Sequence, residues 1–515
     1  MSSNNALAKE KKGFKKIFFG SVLGYINTIL SVVSGLVFAP LFIKYIGQGN
    51  YGLYSLSNSL ITLFLFDFGL GITTNAYLSK LRAKNDDAGI KNFISLIFKI
   101  YFYIDLLLMT IFTVVFFFIP NIYVGLSAEE ISTFKIIYIL TAACNVIVFP
   151  STAFNGVLNS YEEFAAVKIA DIIHKLVYIA LSATVLILKV GVVYLVLANC
   201  ISSLVTMIIK LLVYKKKINI RISLFKRSES GSFKTVLLFS IWAAIYSLTT
   251  KLIFNIMPSI LGITSNSNEI TLFSLSASLE GYIYTFGAVF SGLFMPLISR
   301  IKEQEETYAE ARNELAIRIG RYQLFFITLL LLGFGFSGYH FICFWTTVDK
   351  PFVVYLGTLI MAAYNIIFVP EIVFLTEMMT DRTKMRYLCI ISIIKASINL
   401  LLAIPLSLLY GAIGSCISVC VARMIELVLL NIAFKKKLNS SVGSYFKRVY
   451  VSFSIPFAAT VVVGVLLNVF LKLSHVYMFL ICGFSVVIVF VALTLVFAIK
   501  PKEIRFVARQ LKERI

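Results

Sequence analysis

Apolar runs of roughly 18 or more residues follow one another almost without pause along this chain of 515 residues. A bilayer core is about 30 Å thick, and a helix needs roughly 20 apolar residues to cross it. Lipid offers no partner to a bare backbone N–H or C=O, so a chain built of such runs folds as helices that satisfy their own backbone. Mean hydropathy is +0.90, and a soluble fold of this size would keep more of its surface polar. The pattern predicts an all-α polytopic membrane protein with about fourteen spans: 19–43, 52–78, 93–119, 134–157, 165–188, 192–214, 236–260, 269–297, 322–345, 353–376, 387–409, 412–434, 449–471 and 476–499. An even number returns both termini to one side.

The formal charge of +22 would suggest nucleic acid in a soluble chain. Here the basic residues are sorted by loop. Of the 47 Lys and Arg, 36 fall on the side that holds the termini. Only Lys44, Lys189, Lys350 and Lys472 fall on the other. That asymmetry places both termini in the cytoplasm. Residues 1–18 form a basic lead-in able to lie on an anionic leaflet. The apolar run behind it is too long for a cleavable signal. The seven cysteines sit inside apolar segments without metal-ligand spacing, and they read as packing residues.

The chain also repeats. Tyr51–Leu60 (YGLYSLSNSL) matches Ile270–Leu279 (ITLFSLSASL) at six of ten positions. At a separation of 220, Pro150 matches Pro370, Lys175 matches Lys395, Gly191 matches Gly411, and Lys215–Lys217 matches Lys435–Lys437. Spans 1–6 therefore recur as spans 7–12, and an even number makes the repeats parallel. The expected order is a lead-in (1–18), a six-helix bundle (19–217), a linker (218–235), a second six-helix bundle (236–437), two further helices (449–499) and a basic cytoplasmic tail (500–515).

Ionisable groups inside spans are costly and mark function or pairing. At about 100° per residue, Asp67, Gly71, Thr74 and Asn75 share a face of span 2. Ser247, Lys251 and Asn255 share one on span 7, Glu280 and Tyr284 one on span 8, and Asn27 and Ser31 one on span 1. These stripes suggest a hydrated substrate cavity lined by spans 1, 2, 7 and 8, although Ser and Gly stripes also serve helix packing. Asp171, Lys175, Lys395, Arg423 and Glu426 are candidates for coupling or gating. The simpler reading pairs Asp171 with Lys175 and Arg423 with Glu426 along their own helices. Lys395 has no acid one turn away. His174, His340 and His475 are scattered. No P-loop, HExxH, CxxC or nucleophile elbow occurs, so neither ATP nor a catalytic centre is expected. No metal or cofactor is expected either.

The segment PLFIKYIGQGNYGLYSL…FDFGLG (40–71), the S-x-S-L…MPLISR segment (276–300) and the Gly-Ala-Ile-Gly turn at 411–414 resemble one family. Together with topology and duplication, they are similar to the O-antigen (Wzx-type) flippases of the multidrug/oligosaccharidyl-lipid/polysaccharide superfamily. The resemblance implies two six-helix bundles forming a V-shaped cavity in the bacterial cytoplasmic (inner) membrane. It implies an undecaprenyl-pyrophosphate-linked oligosaccharide, of O-antigen or capsule type, moved to the outer leaflet by alternating access. It also implies drive by an ion gradient (proton or sodium) or membrane potential, and other polysaccharide assembly proteins as partners. A central cation such as Lys251 would suit the pyrophosphate, and the lipid tail would lie against spans 13 and 14. An ion-coupled multidrug or small-solute antiporter and a peptidoglycan-precursor flippase are the alternatives. A glycan polymerase or ligase would need a large outward loop, and none is expected.

Overall fold

The structure is a computed structural model that describes residues 2–65, 69–223, 230–288 and 308–498. Every described regular element is a helix. Asp67, the MPLISR stretch and the 500–515 tail lie outside the described residues, as does part of the 218–235 linker.

The chain divides into two compact units, Met1–Thr271 and Leu272–Ile515. The first holds α1 (Ser2–Ile46), α2 (Gln48–Phe64), α3 (Leu70–Ala83), α4 (Asp87–Ile122) and α5 (Ala128–Val148). A 3-10 turn (Phe149–Thr152) then leads to α6 (Ala153–Ser160), α7 (Phe164–Ile187), α8 (Val192–Lys217), α9 (Ser230–Asn255) and α10 (Met257–Thr264). Within it α1 packs on α7, α7 on α8, α2 on α5 and α3 on α6. Helices α9 and α10 count with this unit because they pack on α2, and α9 also on α3. The division thus falls inside α11 (Ser267–Gly287) rather than in the linker.

The second unit continues with α12 (Tyr308–Trp345), α13 (Pro351–Ala363), α14 (Asn365–Phe368), α15 (Ile372–Thr380) and α16 (Arg382–Leu438). It ends with α17 (Val442–Phe470) and α18 (His475–Phe497). Here α12 packs on α17 and α18, α13 on α16, and α15 on α16.

Local chemistry sets the helix ends. Ser127 and Glu130 form a capping box at the start of α5. Asp381 caps α16 through the Thr383 amide at 2.9 Å. The Thr383 hydroxyl, followed by backbone amides and Lys384, holds the Asp381 carboxyl below the ordinary carboxylate range. The lysine triplets close α8 and α16, where helix carbonyls favour cations. Helix breaks fall at the positions matched in the sequence. Pro150 interrupts the fourth span in the Phe149–Thr152 turn, and Pro370 lies between α14 and α15. Gly191 precedes α8, and Gly411 breaks α16.

Large apolar side chains face outward, including Ile187 (79% exposed), Phe470 (77%) and Leu401 (75%). In water this would drive aggregation, but lipid tails solvate such a surface. Ten described helices are long and apolar enough to span, or eleven counting the bent pair Ala244–Asn255 and Met257–Thr264. The expected fourteen is not reached. The second expected span, 52–78, is broken between α2 and α3, and span 8 runs into residues outside the description. A third cause is that α16 joins two expected spans.

Gly411 is the joint in α16, with φ 55° and ψ −130°. An L side chain cannot occupy that conformation without strain of about 1–3 kcal/mol. Gly411→Ala should therefore lower the thermal unfolding midpoint in detergent. Gly443→Ala, where a Cβ would meet open space, should leave it unchanged. Gly52 has a different reason. A Cβ there would stand 2.1 Å from the Ser267 carbonyl oxygen, so the glycine of the YGL stretch lets α2 close onto the start of α11.

Candidate functional site

The most concentrated polar chemistry among the described residues is buried in the second unit. Helix α11 supplies Glu280, the α13–α14 junction supplies Tyr364 and Asn365, and α16 supplies Lys395 before its bend and Arg423 and Glu426 after it. Glu280, Lys395, Arg423 and Glu426 are 3%, 5%, 8% and 5% exposed. Such groups survive burial only when paired and hydrogen-bonded.

Each is so held. The Arg423 guanidinium donates to Glu280 Oε1 at 2.8 Å and to Asn365 Oδ1 at 3.2 Å. Asn365 Nδ2 donates to the same Glu280 oxygen at 2.7 Å. Lys395 Nζ donates to Glu426 Oε1 at 2.6 Å, and the Tyr364 hydroxyl donates to Glu426 Oε2 at 3.0 Å. Arg423 also lies over the Tyr364 ring, 4.0 Å from its centroid, which joins the two pairs. A turn nearer Gly411 on each arm of α16, Ser418 donates to Asn399 at 3.1 Å. Two cations balance two anions.

The sequence picks out all four charges but not their pairing. Arg423 reaches Glu280 on α11, and Glu426 reaches Lys395 across the hairpin, so the expected Arg423–Glu426 pair along one helix is replaced. Lys395 lies sixteen residues before Gly411 and Glu426 fifteen after it. A sharp turn at that glycine brings them to one depth, and this spacing was the legible signal. Tyr364 and Asn365 carry no charge and gave none.

The first unit holds a second, wetter cluster. Asp171 takes Lys210 on α8 at 3.1 Å and has Lys168 at 4.0 Å. It therefore pairs with Lys210 across helices and with Lys168 along α7, not with Lys175, which is half-buried on α7. A cavity of about 400 Å³ is lined by Gly20, Gly24, Asn155, Asn159, Lys168 and Asp171, among others. His174 lies within 3.4 Å of Ser203.

The remaining expected residues are dispersed. Lys251 Nζ donates to the Leu65 carbonyl at 2.7 Å, at the open C-terminal end of α2 where carbonyls lack helical partners. Glu280 thus has Arg423 as its cation. Ser31 bonds back to the Asn27 carbonyl at 2.9 Å. Among the described residues, Asn27 Oδ1 is buried without a hydrogen-bond partner. Asn75 accepts from Ser79 at 3.5 Å, and Ser247 and Asn255 are half-buried on α9. Tyr284 sits 6.3 Å from Phe368, ring to ring.

The family model described as "Polysaccharide biosynthesis protein" matches residues 14–302. No curated protein sequence matches the chain. Among solved structures, the chain is similar to the lipid II flippase MurJ in an inward closed conformation. The identity is 16%, the TM-score 0.72, and 92% of this chain and 98% of that one are covered. An inward-facing multidrug resistance MATE family transporter of the MOP superfamily gives 12%, 0.63, 82% and 96%. A mutant of a Vibrio cholerae MATE transporter gives 14%, 0.59, 87% and 100%. At these identities the likeness is one of fold.

Proposed function

Since the chain belongs to the polysaccharide biosynthesis protein family, we propose that it is a flippase for an undecaprenyl-pyrophosphate-linked oligosaccharide. It carries the glycan from the cytoplasmic to the outer leaflet of a bacterial cytoplasmic membrane by alternating access. It acts by binding and reorientation, without making or breaking covalent bonds. The supporting observation is the family match across more than half of the chain. The loop charges support cytoplasmic termini.

In this reading Lys251, Asn27, Ser31, Asp67, Asn75, Ser247 and Asn255 meet the substrate's polar head. Lys251 offers an ammonium to the pyrophosphate. Glu280 belongs with Arg423, Lys395 and Glu426 in a switch whose pairs exchange partners as the protein turns over, and Asp171 and Lys175 belong with coupling. A proton or sodium gradient supplies the drive. A peptidoglycan lipid precursor is the second reading, favoured by the fold likeness to the lipid II flippase over 92% of this chain.

Deletion of the gene decides between them. The expected result is an undecaprenyl-pyrophosphate oligosaccharide accumulating on the cytoplasmic leaflet with loss of surface polysaccharide. Accumulation of a peptidoglycan precursor would select the second reading. Altered drug sensitivity with normal surface glycan would refute both. Lys251→Ala should abolish export while the protein level stays normal, and normal export would remove that residue from the site.

A further inference from the structure

Of the three histidines in the chain, two meet in the second unit although 135 residues separate them. His340 Nδ1 lies 3.0 Å from His475 Nδ1. His340 stands near the end of α12, and His475 opens α18. A third residue fixes their chemistry. Asn468, near the end of α17, donates through Nδ2 to the carbonyls of Phe336 at 3.2 Å and Gly464 at 3.0 Å. That assigns the amide nitrogen, so the oxygen is the atom that faces His340 Nε2 at 3.2 Å. An amide oxygen only accepts, so His340 carries its hydrogen on Nε2. In a neutral imidazole the other nitrogen, Nδ1, is then a bare lone pair. With no metal bound, it accepts the Nδ1–H of His475.

A metal-binding histidine is typically prepared in this way, with one ring N–H held by an oxygen and the other nitrogen free to ligate. The spacing fits as well. Two zinc–nitrogen bonds of about 2.0–2.1 Å at a tetrahedral angle set the nitrogens roughly 3.3–3.4 Å apart. The pair needs to open by only a few tenths of an ångström. His475 is exposed and lies three residues after Lys472, in the loop expected to face water, which gives a cation a route in. Imidazole nitrogen suits zinc, copper and nickel, whereas magnesium and calcium favour oxygen.

We propose that His340 and His475 form a binding site for a divalent transition cation of the zinc type, with Asn468 setting the His340 tautomer. His475 ligates through Nδ1 after moving its hydrogen to Nε2, and water fills the remaining positions. No group of three or more His, Cys, Asp or Glu that could hold a metal gathers among the described residues. The site therefore has two protein ligands and binds reversibly, tying the ends of α12 and α18 together.

The test uses full-length protein in detergent, stripped with chelator and titrated calorimetrically with zinc sulfate alone. One zinc per chain is expected, with calcium giving no heat. Binding should vanish in His340→Gln and in His475→Gln, and weaken about tenfold or more in Asn468→Ala. Copper(II) on the unmodified protein should show hyperfine coupling to two nitrogens, a reading that does not depend on any variant folding. Absence of a zinc event in the unmodified protein would overturn the proposal. So would an event that survives in both folded histidine variants, or a copper spectrum without two imidazole nitrogens.

Discussion

Arg423→Leu should abolish export and destabilise the protein by about 3–5 kcal/mol, the usual cost of stranding one member of a buried ion pair. The stranded group is the Glu280 carboxylate. It is 3% exposed and would keep only the Asn365 amide of its two charge-relevant donors. Adding Glu280→Gln removes the orphaned charge, and the double variant should recover most of the lost stability. Export should stay absent, because the proposed partner exchange needs both charges. Unfolding in detergent and surface polysaccharide are the two readouts. A double variant no more stable than Arg423→Leu would show that the pair is not the source of the cost. Normal export in the double variant would reduce the network to a packing device.

Lys395→Met should behave in the same way for a related reason. Glu426 would retain the Tyr364 hydroxyl at 3.0 Å but no ammonium, again at about 3–5 kcal/mol, with recovery on adding Glu426→Gln. The comparison that isolates burial is Lys210→Met in the first unit. Its partner Asp171 has a side chain 29% exposed, so water replaces much of the lost interaction and the cost should fall to about 1 kcal/mol or less. Equal losses at the two sites would contradict the burial argument.

Helix class was legible because it rests on a pattern that lipid enforces along the chain. Each buried charge was legible for the same reason, since a Glu or Arg inside an apolar run is too costly to be incidental. Partners were another matter. Glu280 meets a guanidinium 143 residues away, and helical periodicity describes one helix at a time. Where a turn sets the register, as at Gly411, the spacing of Lys395 and Glu426 carries the answer. Where partners come from non-adjacent helices, as with Glu280 or His340 and His475, it does not. The span count differs for another reason. The α2–α3 break and the Gly411 joint alter helix continuity without altering hydropathy, so a window over apolar residues passes across them.

Lys395, Arg423, Glu280 and Glu426 also sum to zero, and a proton passed between neighbours leaves the sum unchanged. A membrane voltage does work of about 2.3 kcal/mol per 100 mV on each elementary charge it carries across, and on this cluster translating without reorientation in a uniform field it does none. The cluster can cross any part of the field without helping or opposing transport. Any voltage sensitivity of the proposed cycle then has to reside in charges outside it.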